Sequence, residues 1–227
     1  MRLHRIHLNP RSREARRDLA DPYELHSSLT RAFSATAVRC APGTVLWRLE
    51  PETDAMGNPR IIIQSDAPVD WDRIVSRDWL ASSDSPVDLQ ARLKLAELSV
   101  GRRFRFRLRA NPCVTRNKKR LGLMHLAEQE SWLVRKGALH GFSLPELEDW
   151  AGASASEEAL MRPDVRISQA QMLRGQQHDS NEIRIYSVLY DGLLSVVDPP
   201  AFVDALRSGI GHGKALGLGL LSIAPTN

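Results

Sequence analysis

The chain has 227 residues, 42% hydrophobic and 26% charged, with a formal net charge of +4, so it can build one large core or two small ones. No apolar run approaches the roughly 20 residues that span a bilayer, and Met1-Arg2-Leu3-His4-Arg5 lacks the apolar stretch of a secretory leader. Two cysteines, Cys40 and Cys113, and no His/Cys/Asp/Glu cluster at metal-ligand spacing argue against a disulfide framework or a zinc site. The expectation is a cytoplasmic protein with no metal, no other cofactor and no membrane contact.

Residues 3–8 alternate as a strand, ended by Asn9-Pro10. Arg11-Ser12-Arg13-Glu14-Ala15-Arg16-Arg17 reads as an irregular basic connector. Asp21-Pro22-Tyr23-Glu24 carries the marks of a helix start, with Asp21 as cap, Pro22 at the first helical position and Glu24 completing a capping box. The helix runs to about Ser34 on an apolar stripe of Leu25, Leu29, Ala32 and Phe33. Tyr23, His26 and Thr30 cluster at one edge of that stripe, and Tyr23 and His26, three positions apart, can reach a common point. Residues 45–49 and 60–64 read as strands joined through residues 51–59, with Gly57-Asn58 in the turn. A short helix starts at Asp70, residues 82–86 are turn-like, and residues 89–98 bridge to the next unit. Strand, helix, strand, strand, short helix is the order of a ferredoxin-like βαββαβ unit.

The layout then starts again. Phe104-Arg105-Phe106-Arg107-Leu108-Arg109-Ala110-Asn111-Pro112 alternates strictly, which predicts a half-buried strand with a guanidinium-lined outer face. From Ser99 to Ala127 there is no acid at all, while Arg116, Lys118, Lys119 and Arg120 extend the basic run. Such a segment repels itself unless a polyanion neutralises it, so nucleic acid is favoured over a merely solvated face. Residues 125–136 read as a helix stopped by Gly137. A variable excursion over residues 142–158 is followed by a basic hairpin over residues 162–177, with Arg162, Arg166 and Arg174. Residues 183–189 and 193–197 pair across Asp191-Gly192, and Asp198-Pro199 opens a further helix. The fold class expected is α+β, two tandem ferredoxin-like domains with antiparallel sheets, residues 1–98 and 99–227.

The last turn-rich stretch holds Gly209, Gly211, Gly213, Gly217 and Gly219, with Lys214 in its middle. A phosphate-cradling P-loop needs Lys followed by Ser or Thr, in strand–loop–helix order. Here Ala215 follows Lys214 and the order is helix–loop–strand, which argues against an NTPase. Two readings stay open: a cationic loop suited to a phosphate backbone, or a tight turn leading into a close-packed strand.

The arginine strand 104–112, the stretch 209–225 and Asp21-Pro22-Tyr23-Glu24-Leu25-His26 together resemble the CasE family, the CRISPR precursor-RNA endoribonucleases of type I-E Cascade systems. The glycine stretch alone is shared among RAMP proteins; the arginine strand ending in Ala110-Asn111-Pro112 and the Tyr23/His26 pair narrow the likeness. The resemblance implies two ferredoxin-like domains facing across a basic groove, and a CRISPR-repeat hairpin cut at the 3′ base of its stem. It also implies retention of that stem-loop as one subunit among the other Cascade subunits. The free protein is expected to be monomeric.

On this reading His26 is the general acid or base and Tyr23 positions the phosphate or shares a proton, since RNA carries its own 2′-hydroxyl nucleophile and a histidine suits proton transfer near neutral pH. The products expected are a 2′,3′-cyclic phosphate and a 5′-hydroxyl. Arg105, Arg107, Arg109, Arg116, Lys118, Lys119, Arg120, Arg162, Arg166, Arg174 and Lys214 are the candidates for phosphate contact, unless some of the strand arginines pair with acids across the domains. The other histidines are weaker candidates. His4 and His7 lie on opposite faces of one strand, His125, His140 and His178 lack partners nearby, and His212 sits in the glycine loop. The alternative is a RAMP-type subunit that binds RNA without cutting it, which would have no need of Tyr23 and His26.

Overall fold

The computed structural model describes residues 1–34, 45–74, 76–148, 161–176 and 182–226. β1 (Arg2–Leu8) sends Ile6 and Leu8 into a core shared with Leu25, Leu29, Trp47, Ile61 and Trp79. α1 (Arg13–Ala20) stands where the basic connector was expected. Ser12 caps it, accepting from the Ala15 N–H at 3.4 Å, and Ala15 is buried. Asp18 turns inward to accept from Trp79 Nε1 at 2.8 Å and from Arg17 Nη2 at 2.8 Å. A run of arginines therefore hid an amphipathic helix whose inner face is narrow, Ala15 and Asp18 with Leu19 packed beside them.

Asp21 serves two helices. Its N–H closes α1 on the Arg17 carbonyl at 3.1 Å, and its Oδ1 accepts from the Tyr23 N–H at 2.9 Å to start α2 (Pro22–Ala32). The capping box expected through Glu24 does not form, because the Asp21 N–H is already used and the Glu24 carboxylate lies 3.6 Å from Arg17 Nε. β2 (Val45–Thr53) and β3 (Pro59–Ser65) follow as an antiparallel pair. The short helix expected at Asp70 is a single 3₁₀ turn, Trp71–Arg73. β4 (Leu80–Ser83) and β5 (Val87–Asp88) both pair with β1, so Ser82 and Ser83, expected in a turn, are strand residues opposite His7 and Ile6. The order β2-β3-β1-β4 is that of a ferredoxin-like sheet whose second helix is reduced to one turn. α3 (Leu89–Leu93) then carries Leu93 into the second core.

β6 (Arg103–Ala110) buries Phe104, Phe106 and Leu108 as the alternation requires. β7 (Cys113–Arg116) and β8 (Lys119–Gly122) make an exposed hairpin turned by Asn117 and Lys118, at φ 50° and 61°, the two positive values of a type I′ turn. α4 (Leu126–Leu139) runs through Gly137, its expected stop, and ends before Gly141. Gly137 is there for packing, since a Cβ would lie 2.6 Å from the Phe142 carbonyl. β9 (Phe142–Ser143), β10 (Glu146–Glu148), β11 (Met161–Pro163), β12 (Val165–Gln176), β13 (Glu182–Val196), α5 (Pro199–Ser208) and β14 (Leu221–Pro225) complete the second unit. Its order, β12-β13-β6-β14, repeats that of the first.

Two expectations are corrected here. Residues 162–177 are not a hairpin, because β12 pairs along nearly its whole length with β13. β13 in turn runs straight through Asp191-Gly192, the expected turn. Asp191 stands opposite Arg107 on β6 and Arg166 on β12, and at Gly192 a Cβ would meet the Asp164 carbonyl at 2.3 Å. An ion pair and a close approach select that dipeptide, not a reversal of the chain. Cys40, His178 and residues 151–156 lie outside the described residues.

The two sheets face each other, and buried charge joins them. Arg48 on β2 is 2% exposed; its Nε donates to Glu50 Oε1 at 2.7 Å, and its Nη1 donates to the Arg107 and Leu220 carbonyls, each at 3.1 Å. Glu50 Oε2 accepts from Arg107 Nη1 at 2.6 Å, and Arg107 Nε donates to Asp191 Oδ1 at 2.6 Å. Nearby, Gln64 Nε2 donates to the Leu206 carbonyl at 2.5 Å. Burial pulls the Arg48 pKa below its ordinary value, and the Glu50 carboxylate opposes that pull. Arg48→Ala takes the donor from the buried Glu50 Oε1 and from two carbonyls, so stability is expected to fall by about 3–5 kcal/mol. The urea unfolding midpoint reads this directly; an unchanged midpoint would mean that other contacts hold the sheets.

Candidate functional site

The first turn of α2 carries Tyr23 and His26 to the seam between the two units. Tyr23 is held against the second unit: at Gly175 on β12 a Cβ would lie 2.5 Å from Tyr23 Cδ2 and 2.9 Å from Leu216 Cδ2. His26 Nδ1 accepts a hydrogen bond from Trp47 Nε1 at 3.1 Å. Thr30, the third member of the cluster, turns its hydroxyl back to the His26 carbonyl at 2.9 Å. Burial lowers the His26 pKa; burial and then the Asp21 charge raise that of Tyr23. Near pH 7 the pair is therefore a neutral imidazole beside an un-ionised phenol.

The glycine loop lies against this pair. Gly209, Gly211, Gly213, Gly217 and Gly219 all have positive φ. The close-packing reading holds for much of it: the Ile210 N–H donates to the Gly219 carbonyl and the Gly219 N–H to the Arg109 carbonyl, both at 2.8 Å. Gly217, at φ 75°, sits where a Cβ would be 2.7 Å from the Trp47 ring. Lys214, at the start of the 3₁₀ turn Lys214–Leu216, keeps a half-exposed position. With Arg120 from β8 and Lys136 from α4, it bears on His212 in the same loop. Burial, then these three cations, lower the pKa of His212, and burial with Lys136 and Lys214 lowers that of His140. Lys136 was missed in the sequence. Its only local signal was the i, i+4 spacing to Trp132, over whose ring its Nζ lies at 5.7 Å.

The basic candidates divide in two. Arg116, Lys118, Lys119 and Arg120 on the hairpin, Arg105 on β6 and Arg174 on β12 are exposed. Arg107 and Arg109 are not at a free surface, because the outer face of β6 packs on the first sheet. Burial works against the Arg107 charge, yet hydrogen bonds to Asp191, Glu50 and Glu52 raise its pKa above the ordinary value. Arg109 is buried, which lowers its pKa, and its Nη2 donates to Gln169 Oε1 at 2.6 Å. Arg162 Nη2 donates to Glu130 Oε1 at 2.5 Å, and Arg166 Nη2 lies 3.5 Å from Asp191 Oδ2. A cavity of about 200 Å³ lies beside α2, lined among others by Pro22, Leu25, Trp47, Arg109, Gln169 and Leu216. Among the described residues no group of three or more His, Cys, Asp or Glu is placed to hold a metal ion, and no helix is long and apolar enough to cross a membrane.

Two ferredoxin-like sheets with a histidine and basic side chains at their seam define a class that comparison makes specific. A family model described as CRISPR associated protein matches residues 1–225. The CRISPR-associated endoribonuclease Cse3 of Thermus thermophilus is 38% identical over 232 residues, covering 99% of this chain and 100% of its own. The Cascade subunit CasE of Escherichia coli is 34% identical over 142 residues, 57% of this chain and 61% of its own. A solved structure of Cse3 bound to a 19 nt RNA matches with a TM-score of 0.80 at 36% identity, covering 99% of this chain and 100% of that one. The chain belongs to the CRISPR-associated protein family, in its CasE/Cse3 group of endoribonucleases.

Gly217 tests how tightly the loop is seated on Trp47. Gly217→Ala adds a Cβ against the indole and strains a positive φ, so it is expected to cost about 1–3 kcal/mol. Thermal unfolding followed by tryptophan fluorescence measures it; an unshifted Tm would show that the indole has room to move.

Proposed function

We propose that this protein cuts the repeat hairpin of CRISPR precursor RNA at the 3′ base of its stem, and keeps the stem-loop as a subunit of a Cascade complex. The observation that carries the proposal is His26, a neutral imidazole beside an un-ionised phenol where a basic surface meets the seam of the two units. The RNA supplies the 2′-hydroxyl nucleophile, and His26 is the general acid or base. Tyr23 donates its phenolic hydrogen to orient the phosphate. The products are a 2′,3′-cyclic phosphate and a 5′-hydroxyl. The catalytic helix belongs to residues 1–98 and most of the RNA-binding surface to residues 99–227.

Several observations support this reading. The Thermus relative is an endoribonuclease solved with RNA, one structure representing a pre-cleavage complex, and the Escherichia relative is a Cascade subunit. The exposed hairpin with Arg116, Lys118, Lys119 and Arg120, together with Lys136, Arg174 and Lys214, suits the phosphates of an A-form stem, whose deep major groove side chains seldom read. Arg107 acts instead in holding the two sheets together, and Arg109 is buried against Gln169 of its own sheet.

His26→Ala is expected to slow cleavage of a labelled repeat hairpin by about 10²–10⁴-fold and to leave hairpin affinity near that of the wild type. The wild-type reaction is expected to persist in excess EDTA. Near-normal cutting by the variant would remove the assignment, and tight binding with no cutting by the wild type would favour a RAMP-type subunit that only binds. Affinity should fall with salt by about 0.7–0.9 log units per log unit of salt for each phosphate neutralised. A flat titration would argue against a phosphate-binding surface.

A further inference from the structure

We propose that Trp47 is the positioning residue that decides which nitrogen of His26 meets the RNA. The inference rests on the reading of His26 as the catalytic histidine and deepens it. An indole N–H can only donate. The imidazole nitrogen 3.1 Å from it, Nδ1, is therefore an acceptor and carries no proton. The neutral ring then has its proton on Nε2, on the side away from the indole. The imidazolium, a donor at both nitrogens, cannot accept this bond; protonating His26 would set one N–H against another.

Trp47 is in no position to yield. It is 2% exposed and belongs to the first core. Gly217 closes on its ring from the second unit, and β2 is fixed in register by the pairing of Trp47 with Ile63. Burial is what lowers the pKa of the ring. Tyr23 on α2 is un-ionised near neutral pH, and burial and then the Asp21 charge hold it so. Arg48 and Glu50 on β2 lie on the other face of the strand, where they engage the second sheet. The enzyme at rest thus presents an Nε2–H donor to the RNA, while the Nδ1 lone pair is occupied. His26 meets the scissile phosphodiester with Nε2–H, and it gives that proton to the leaving 5′-oxygen only as the imidazolium, after Nδ1 has taken a proton from solvent and the indole hydrogen bond is lost.

The test is ¹⁵N NMR of the histidine rings in the full chain, beside a pH–rate profile of hairpin cleavage, for wild type and Trp47→Phe. In the wild type, His26 is expected to show a protonated Nε2 and an unprotonated Nδ1, with cleavage falling as pH rises through the ring pKa. In Trp47→Phe the neutral form loses one hydrogen bond, so the ring pKa and that limb of the profile should both rise by about one pH unit. Replacing Trp47 by its sulfur analogue, which exchanges N–H for S within the same outline, should give the same shift and covers the case in which the phenylalanine variant folds poorly. A proton on Nδ1 in the wild type would overturn the proposal. So would a ring pKa unmoved in both variants, or a ring pKa that moves while the cleavage profile stays. Undiminished cutting by His26→Ala is a separate result: it would sink the catalytic reading while the NMR still reports what Trp47 does to the ring.

Discussion

A guanidinium cannot be left unpaired in a protein interior, and Arg48 sits in one. Its partners come from both halves of the chain: Glu50 from its own strand, the carbonyls of Arg107 and Leu220 from the other sheet. Glu50 then engages Arg107, and Arg107 engages Asp191. Each charge in this web is satisfied only if the two sheets face each other in one relation. The web is therefore a registration device as much as a source of stability, a role for which buried ion pairs are suited because a misplaced partner costs so much.

The same strand transmits that registration to the candidate site. Trp47 and Arg48 are adjacent, so the pleat sends them to opposite faces of β2. Arg48 fixes the strand to the second sheet, and Trp47 reaches the other way to hydrogen-bond His26. The glycine loop closes on Trp47 through Gly217, and β12 closes on Tyr23 through Gly175, so both contacts depend on where the second unit lies. A site of this kind exists only after the two halves have docked. That suits a protein whose proposed substrate is gripped by both.

Division of labour among the cations follows from the same docking. β6 alternates Arg with apolar residues, and from the alternation alone Arg105, Arg107 and Arg109 are equivalent. Once the first sheet covers part of that face, Arg107 becomes a tie to Glu50, Arg109 is buried against Gln169 of its own sheet, and Arg105 stays at the surface. Exposed positive charge includes the β7–β8 hairpin, Arg105 and Arg174. Arg120, Lys136 and Lys214, from three elements far apart in the chain, all bear on His212.

Much of this molecule was legible from short-range rules. The Asp21-Pro22 and Asp198-Pro199 starts of α2 and α5, the alternation of β6, and the placing of Tyr23 and His26 on one helix edge all depend on residues within a few positions of each other. What the sequence alone got wrong are the elements whose partners lie far away. The arginine-rich α1 forms because Ala15 and Asp18 find a core and Trp79. β13 runs on through Asp191-Gly192 because Arg107, Arg166 and the Asp164 carbonyl meet it there. Local propensity and spacing determined most of the elements and the ferredoxin-like plan, and the family showed in a resemblance of motifs; tertiary structure alone decided which arginines are buried, which glycines are seats for another unit, and that His26 Nδ1 accepts from Trp47. The physical reason is that hydrogen bonding and desolvation act between groups in contact, and those contacts arise only when distant segments pack together.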